Sequence, residues 1–280
     1  MPLKAERKEY LENKCREFRI DLIQLLHKIQ TGHPGGSLSS VEILTTLYYE
    51  KLNVNAENPK DPNRDIFILG KGHAAPILYL ILADKGFFPK EELNTLRQIN
   101  SRLQGHPCAE KTPGIEVSTG PLGLGISAAA GMAAAAKLDK KQTRVYVLLG
   151  DGEIQEGIVW EAAMAANKYK LDNLTAIIDN NNVQLDGTVD KIMPLGSLKN
   201  KWESFGWNVI EADGHNIESL LDAFDGAEAF KGKPTVIIAK TIKGKGVSFM
   251  EGKNTWHGKT VSDQDFVNAM RELGGEADGK

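Results

Sequence analysis

The sequence predicts an α/β fold, a parallel sheet with helices on both faces. Three observations lead there. Between residues 144 and 240, short apolar runs alternate with helix-length amphipathic stretches. The runs are apolar throughout, as strands buried on both faces are. Two of them end directly in glycine or in side chains bearing oxygen, at Gly150-Asp151-Gly152 and at Asn180-Asn181-Asn182. Those are the ends where ligands meet an open parallel sheet.

Each element has its own warrant. Leu11, Cys15, Phe18, Leu22, Leu25 and Ile29 recur at helical spacing and place a surface helix over about 5–30. His27 falls off that stripe and is expected in solvent, and Gly32 is the expected stop. A Gly-rich turn, Gly32-His33-Pro34-Gly35-Gly36-Ser37, follows. Ser39 and Glu42 have the spacing of a capping box for a helix through Tyr49. Asp65–Leu69 reads as a short buried strand, stopped by Gly70-Lys71-Gly72-His73, with a helix beyond it to about Ala83. Helices are expected at about 123–138, 154–169 and 216–229. Strands are expected at 144–149, 174–179, near 207–210 and at 235–239. The crossovers should be right-handed. The Gly-rich tail, 274–280, is expected to be mobile.

Composition narrows the function. Lys+Arg total 34 and Asp+Glu 37, a formal net charge of -3, which gives no nucleic-acid footprint and no basic membrane patch. Two cysteines, Cys15 and Cys108, form no CxxC pair, so neither a disulfide framework nor a thiolate zinc site is expected. No HExxH spacing offers zinc an alternative. No apolar run approaches the ~20 residues that span a bilayer, and the first residues carry no signal core, so the expected setting is cytoplasmic.

Chemistry concentrates at two strand ends. Asp151 and Asn181 each follow an apolar strand, and the helix between them makes the unit βαβ, so both open on one edge of the sheet. A carboxylate, an amide oxygen and a nearby carbonyl are hard donors suited to Mg²⁺ or Ca²⁺. One protein charge is too little for a tight cage, and a diphosphate would complete it. Gly150 and Gly152 permit a sharp turn, and Gly152 is read as preceding a helix N-terminus that favours phosphate. The pattern is neither GxGxxG nor GxxxxGK[ST]. Gly-Asp-Gly alone would be a plain turn; its pairing with Asn181 makes it a candidate site.

Gly150-Asp151-Gly152 with Asn181 thirty residues on resembles the signature of thiamine-diphosphate enzymes. Further stretches resemble transketolase in particular: Gly32-His33-Pro34-Gly35-Gly36, Gly72-His73-Ala74, Gly105-His106-Pro107, Ser118-Thr119-Gly120-Pro121-Leu122-Gly123-Leu124-Gly125 and Trp256-His257-Gly258. The resemblance covers nearly the whole chain. It implies one thiamine-diphosphate-binding domain over 1–280, the diphosphate-binding half of a split transketolase.

The resemblance also implies roles. Asp151, Asn181 and the Val183 carbonyl would bind Mg²⁺, or Ca²⁺ or Mn²⁺ in its place. His73, Gly152 and His257 would meet the diphosphate, and Gly120 and Leu122 the cofactor's rings. His33, His106 and His257 would face the substrate. Each histidine alone has a structural alternative as a loop or surface residue, and His215 reads as part of a strand-to-helix turn. Glu156 and Glu161 would join a carboxylate cluster where two copies self-associate, or would simply be a solvated helix face. Lys243 and Lys245 are either phosphate-facing or a flexible basic loop.

The implied reaction is reversible transfer of a two-carbon ketol unit from a ketose phosphate to an aldose phosphate. A C-terminal partner subunit would bring the pyrimidine-binding domain and its glutamate, in a heterotetramer of two chains of each kind. The open alternatives are a deoxyxylulose-phosphate synthase-like or 2-oxoacid dehydrogenase-like subunit, and a non-catalytic cofactor-binding subunit. A truncated longer protein would look the same.

Overall fold

The computed structural model describes residues 3–276. Its helices are α1 (Ala5–Ile29), α2 (Pro34–Leu38), α3 (Val41–Thr46), α4 (Ala75–Asp84), α5 (Leu124–Leu138), α6 (Gly157–Lys168), α7 (Val189–Ile192), α8 (Leu198–Ser204), α9 (Ile217–Ala229) and α10 (Asp263–Leu273). Its strands are β1 (Ile66–Leu69), β2 (Val145–Gly150), β3 (Leu174–Asn180), β4 (Asn208–Asp213) and β5 (Thr235–Lys240). They form one sheet in the order β1-β2-β3-β5-β4, with every pairing parallel. Among the described residues, no helix is long and apolar enough to cross a membrane.

The inner strands are largely apolar because both faces are covered. On β2, Val145, Val147 and Leu149 join Ile126 and Ala129 of α5, Val159 and Ala163 of α6 and Trp202 of α8. Tyr146 and Leu148 point the other way, among Leu22 of α1, Leu44 of α3, Ile77 of α4 and Phe224 of α9. Each such aliphatic side chain, when fully buried, contributes ~1.5–3 kcal/mol. The period-two alternation of strand side chains thus feeds two cores and fixes the register. Leu149 pairs with Ile178 and Gly150 with Asp179, which brings the ends of β2 and β3 level. At the far edge, β4 turns Glu211 and Asp213 to solvent, which discourages edge pairing.

Four local expectations are corrected. Ser39 and Glu42 form no capping box. Ser39 donates to Asp179 at 2.6 Å, and Glu42 is buried against Arg19 and His215. Tertiary partners there outcompete the local motif. The left-handed cap of α1 is Gln30 (φ 51), not Gly32; its amide donates to the carbonyls of His27 and Val261. His27 is not free in solvent. It stacks on Phe266 with centroids 4.2 Å apart and lies 2.9 Å from Asp263. Finally, Gly152 precedes a single 3-10 turn, Glu153–Gln155, and α6 starts only at Gly157. No helix dipole therefore points at Gly152. In the tail, Gly274 caps α10 in the left-handed conformation, and residues 277–280 lie outside the described residues.

Candidate active site

A cavity of about 350 Å³ opens beyond the carboxyl ends of β1, β2, β3 and β5. All ten residues singled out in the sequence line it: His33, His73, His106, Gly120, Leu122, Asp151, Gly152, Asn181, Val183 and His257. They come from seven separate stretches of chain. The level strand ends bring Asp151, Gly152, Asn181 and Val183 to one edge, the turn between α1 and α2 supplies His33, and the segments after β1 and β5 supply the rest.

Asp151 is 3% exposed. Its Oδ1 accepts the Gly152 N–H at 2.8 Å and its Oδ2 the Asn182 N–H. Burial, followed by the charge of Asp179, pushes its carboxyl up to about 6. Asn181 Oδ1 accepts the Val183 N–H at 3.0 Å. Lys243, 3% exposed, donates to the Val183 carbonyl and to His257 Nδ1, both at 3.0 Å. Burial, then the neighbouring Lys71, lowers its ammonium to about 8. Lys243 is thus built into the cavity. Lys245, the other lysine of that pair, is half-buried and lies 3.6 Å from Glu251.

The histidines cluster. The His33 ring lies 5.2 Å from that of His73 and 5.5 Å from that of His257, and His73 lies 4.8 Å from His257. Burial, then nearby positive charge, holds His33 down to about 4 and His257 to about 3. His73 and His106 are lowered for the same first reason. All four are neutral at pH 7. Because lysine can only donate, Nδ1 of His257 carries no proton and Nε2 does. His106 rests against Gly120, where an added Cβ would come 3.4 Å from the ring.

Three residues escaped the sequence reading. Lys71 donates to the Gly36 carbonyl at 2.8 Å and is ion-paired with Asp179 beneath the cavity. Asp179 also accepts from Ser39 and Thr241. Burial works against its charge, but Lys71 and these hydrogen bonds outweigh it and hold the carboxyl below its usual range. Glu153, 2% exposed, accepts the Gly123 and Gly150 N–H groups at 2.9 and 3.0 Å and ties the end of β2 to the loop bearing Gly120. Burial raises it to about 7. A lysine between two glycines and an acid ending an apolar strand were the only available signals. His215 is indeed in a strand-to-helix turn, but it also reaches Glu42 and the Ile242 N–H.

The donor set fits a divalent ion held with a diphosphate. Asp151, Asn181 and the Val183 carbonyl are hard oxygens. Among the described residues, no cluster of three His, Cys, Asp or Glu competes for a softer metal. His33, which lines the cavity, has a buried Nδ1 without a protein partner, as a polar atom facing a ligand would be. Glu156 lies at the cavity wall, whereas Glu161 lines a separate groove between α5 and α6.

Comparison with known proteins agrees with this geometry. Residues 8–279 match the family model for transketolase, thiamine diphosphate binding domain. The chain is 44% identical over 265 residues to an apulose-4-phosphate transketolase subunit of Phocaeicola vulgatus, covering 95% of this chain and 94% of that one. It is 42% identical to a 6-deoxy-6-sulfo-D-fructose transketolase subunit of a Clostridium species, covering 96% and 98%. Human transketolase matches at 42% identity over 94% of this chain but only 42% of its own length. The crystal structure of transketolase from Campylobacter jejuni superposes with a TM-score of 0.89 at 33% identity, covering 99% of this chain and 44% of that one. A family model matched almost end to end, with relatives 42–44% identical over nearly their whole length, makes this chain a member of the transketolase family, spanning its thiamine diphosphate binding domain.

Proposed function

We propose that this chain is the cofactor-holding subunit of a transketolase that uses thiamine diphosphate with Mg²⁺. It would transfer a two-carbon ketol unit reversibly from a ketose phosphate to an aldose phosphate. The observation that carries the reading is the convergence of Asp151 and Asn181 on a cavity ringed by neutral histidines and closed below by two lysines.

Each side chain has a role the geometry supports. Asp151, Asn181 and the Val183 carbonyl hold the ion; Ca²⁺ or Mn²⁺ would suit the same oxygens. Lys243 balances part of the diphosphate charge, Lys71 being already paired with Asp179, and Gly152 leaves room for close approach. His73 and His257 donate hydrogen bonds without adding charge. His33 and His106 face the substrate carbonyl and hydroxyls, where imidazole can hold or move a proton. Gly120 and Leu122 lie against the cofactor's rings. When bound, thiamine diphosphate supplies the electron sink that stabilises the carbanion.

We further propose that activity needs a C-terminal partner. Relatives matched over nearly their full length carry subunit names, and full-length transketolases are more than twice as long as the matched part. Self-association is supported by the groove between α5 and α6, lined by Gly131, Ala134, Ile158 and Glu161 beside exposed Met164.

The test is calorimetric titration with thiamine diphosphate and Mg²⁺, with and without the partner, beside a ketol-transfer assay on sugar phosphates. Tight binding and turnover with the partner are expected, with weak binding and no turnover without it. Full turnover by the chain alone would refute partner dependence. Absence of cofactor binding in both samples would refute the site.

A further inference from the structure

We infer that His215 is a positioning residue for the loop that carries Lys243, acting as the last member of a buried Arg19–Glu42–His215 relay. The inference deepens the reading of the cofactor site and rests on it for the role of Lys243.

The loop 241–246 leaves β5, sends Lys243 into the cavity and must be held from behind. Its first free amide, Ile242 N–H, donates to His215 Nε2 at 2.8 Å. An imidazole nitrogen that accepts carries no proton, so Nδ1 holds it and donates to Glu42 Oε2 at 3.0 Å. Glu42, 7% exposed, is fixed in turn by Arg19, whose Nη2 donates to Oε2 at 2.8 Å. Arg19 then returns to the same loop, where its Nε donates to the Lys245 carbonyl at 3.0 Å. One carboxylate on α3 therefore secures the loop on both sides of Lys243.

Close packing leaves the loop little slack. A Cβ at Gly214 would come 2.4 Å from the Thr241 methyl and 3.0 Å from the Lys240 carbonyl. Gly246 adopts φ +96, and a Cβ there would come 2.8 Å from Arg19 Cδ. Between them, Gly244 donates to the Gly35 carbonyl at 3.0 Å. His215 itself touches nothing in the cavity. Its effect on the site must pass through the backbone at 242 and so through Lys243.

The test uses the full chain and two readouts. His215→Phe keeps a ring and removes the acceptor; His215→Gln restores an acceptor within reach of Ile242. In the unliganded chain, hydrogen exchange at the Ile242 amide should speed up about fivefold or more in the Phe variant and return toward wild type in the Gln variant. With partner and Mg²⁺ present, the Kd for thiamine diphosphate should rise about fivefold in the Phe variant. In a Lys243→Met background the same change should alter Kd by less than about twofold, because effects through one intermediary do not add. Unchanged exchange at Ile242, or full additivity with Lys243→Met, would overturn the inference. His215→Asn, too short to reach Ile242, replaces the Phe variant if that chain does not fold. If wild type fails to bind thiamine diphosphate, the functional reading falls, and the exchange measurement alone still decides whether His215 holds the loop.

Discussion

Two carboxylates lie under the same cavity, and burial has opposite outcomes for them. Asp179, at the floor, is 0% exposed, yet its carboxyl is held below its usual range. Asp151, in the wall, is 3% exposed and is pushed up to about 6. The difference is the company each keeps. Asp179 has an ammonium and two hydroxyls, from Lys71, Ser39 and Thr241, so the protein alone completes its shell. Asp151 has two backbone N–H groups and a like charge nearby. The floor is therefore structural, and the wall has the electrostatics of a cation site.

The largest effect should come from breaking the floor. Asp179→Ala strands the Lys71 ammonium in an apolar surround and should cost ~3–5 kcal/mol of unfolding free energy. Urea unfolding of the unliganded chain measures it. The double variant Lys71→Met/Asp179→Leu should recover most of that loss, since an apolar pair carries no stranded charge. An Asp179→Ala chain as stable as wild type would erase the distinction between floor and wall.

Next comes the wall. Asp151→Asn should weaken binding of thiamine diphosphate with Mg²⁺ by ~100-fold or more, about 2.8 kcal/mol, with the partner present. The unliganded chain should meanwhile be as stable as wild type or more so, because a buried carboxylate has been neutralised. Loss of stability with unchanged cofactor affinity would assign Asp151 to the floor instead.

The wall should also respond to pH. Between its ordinary pKa near ~4 and about 6, folded Asp151 binds more protons than the unfolded chain does. Its contribution to stability is present below that window and is lost as pH rises through it. His33 and His257, lowered to about 4 and about 3, run the opposite way and gain stability over the same range. Comparing Asp151→Asn with wild type isolates the carboxylate. The variant should gain on wild type by on the order of 2 to 3 kcal/mol as pH rises from about 4 to 6.5. Metal affinity should move with the opposite sign and fall as pH drops through about 6, because the ion needs the carboxylate deprotonated. A flat difference in the unliganded chain would remove the basis for setting wall against floor.

The contrast also explains what could be read in the sequence. The wall was legible. Apolar strands ending in Gly150-Asp151-Gly152 and Asn181 announce hard oxygens at one sheet edge, since strand direction and the βαβ crossover suffice to bring them together. The floor was not. Lys71 and Asp179 are 108 residues apart, and their pairing follows from β1 and β3 flanking β2, which no periodicity reveals. Ser39 and Glu42 actively misled, because their spacing has a local meaning that buried partners override. His215 was read only as a turn residue for the same reason. Its two ring contacts lie 173 and 27 residues away.

Ser39 gives the finest test of the floor. Its hydroxyl donates to Asp179 at 2.6 Å in a fully buried setting, and Lys71 and Thr241 remain if it is lost. Ser39→Ala removes one charge-assisted bond without leaving a bare ion, so it should cost only ~1–2 kcal/mol of stability. Because Lys71 keeps its partner, cofactor affinity should change by less than about threefold. Urea unfolding and calorimetry on the same preparation separate the two numbers. A change confined to affinity would mean that the floor hydroxyl serves the ligand directly, and the boundary between the two carboxylates would have to be drawn above Asp179 rather than between it and Asp151.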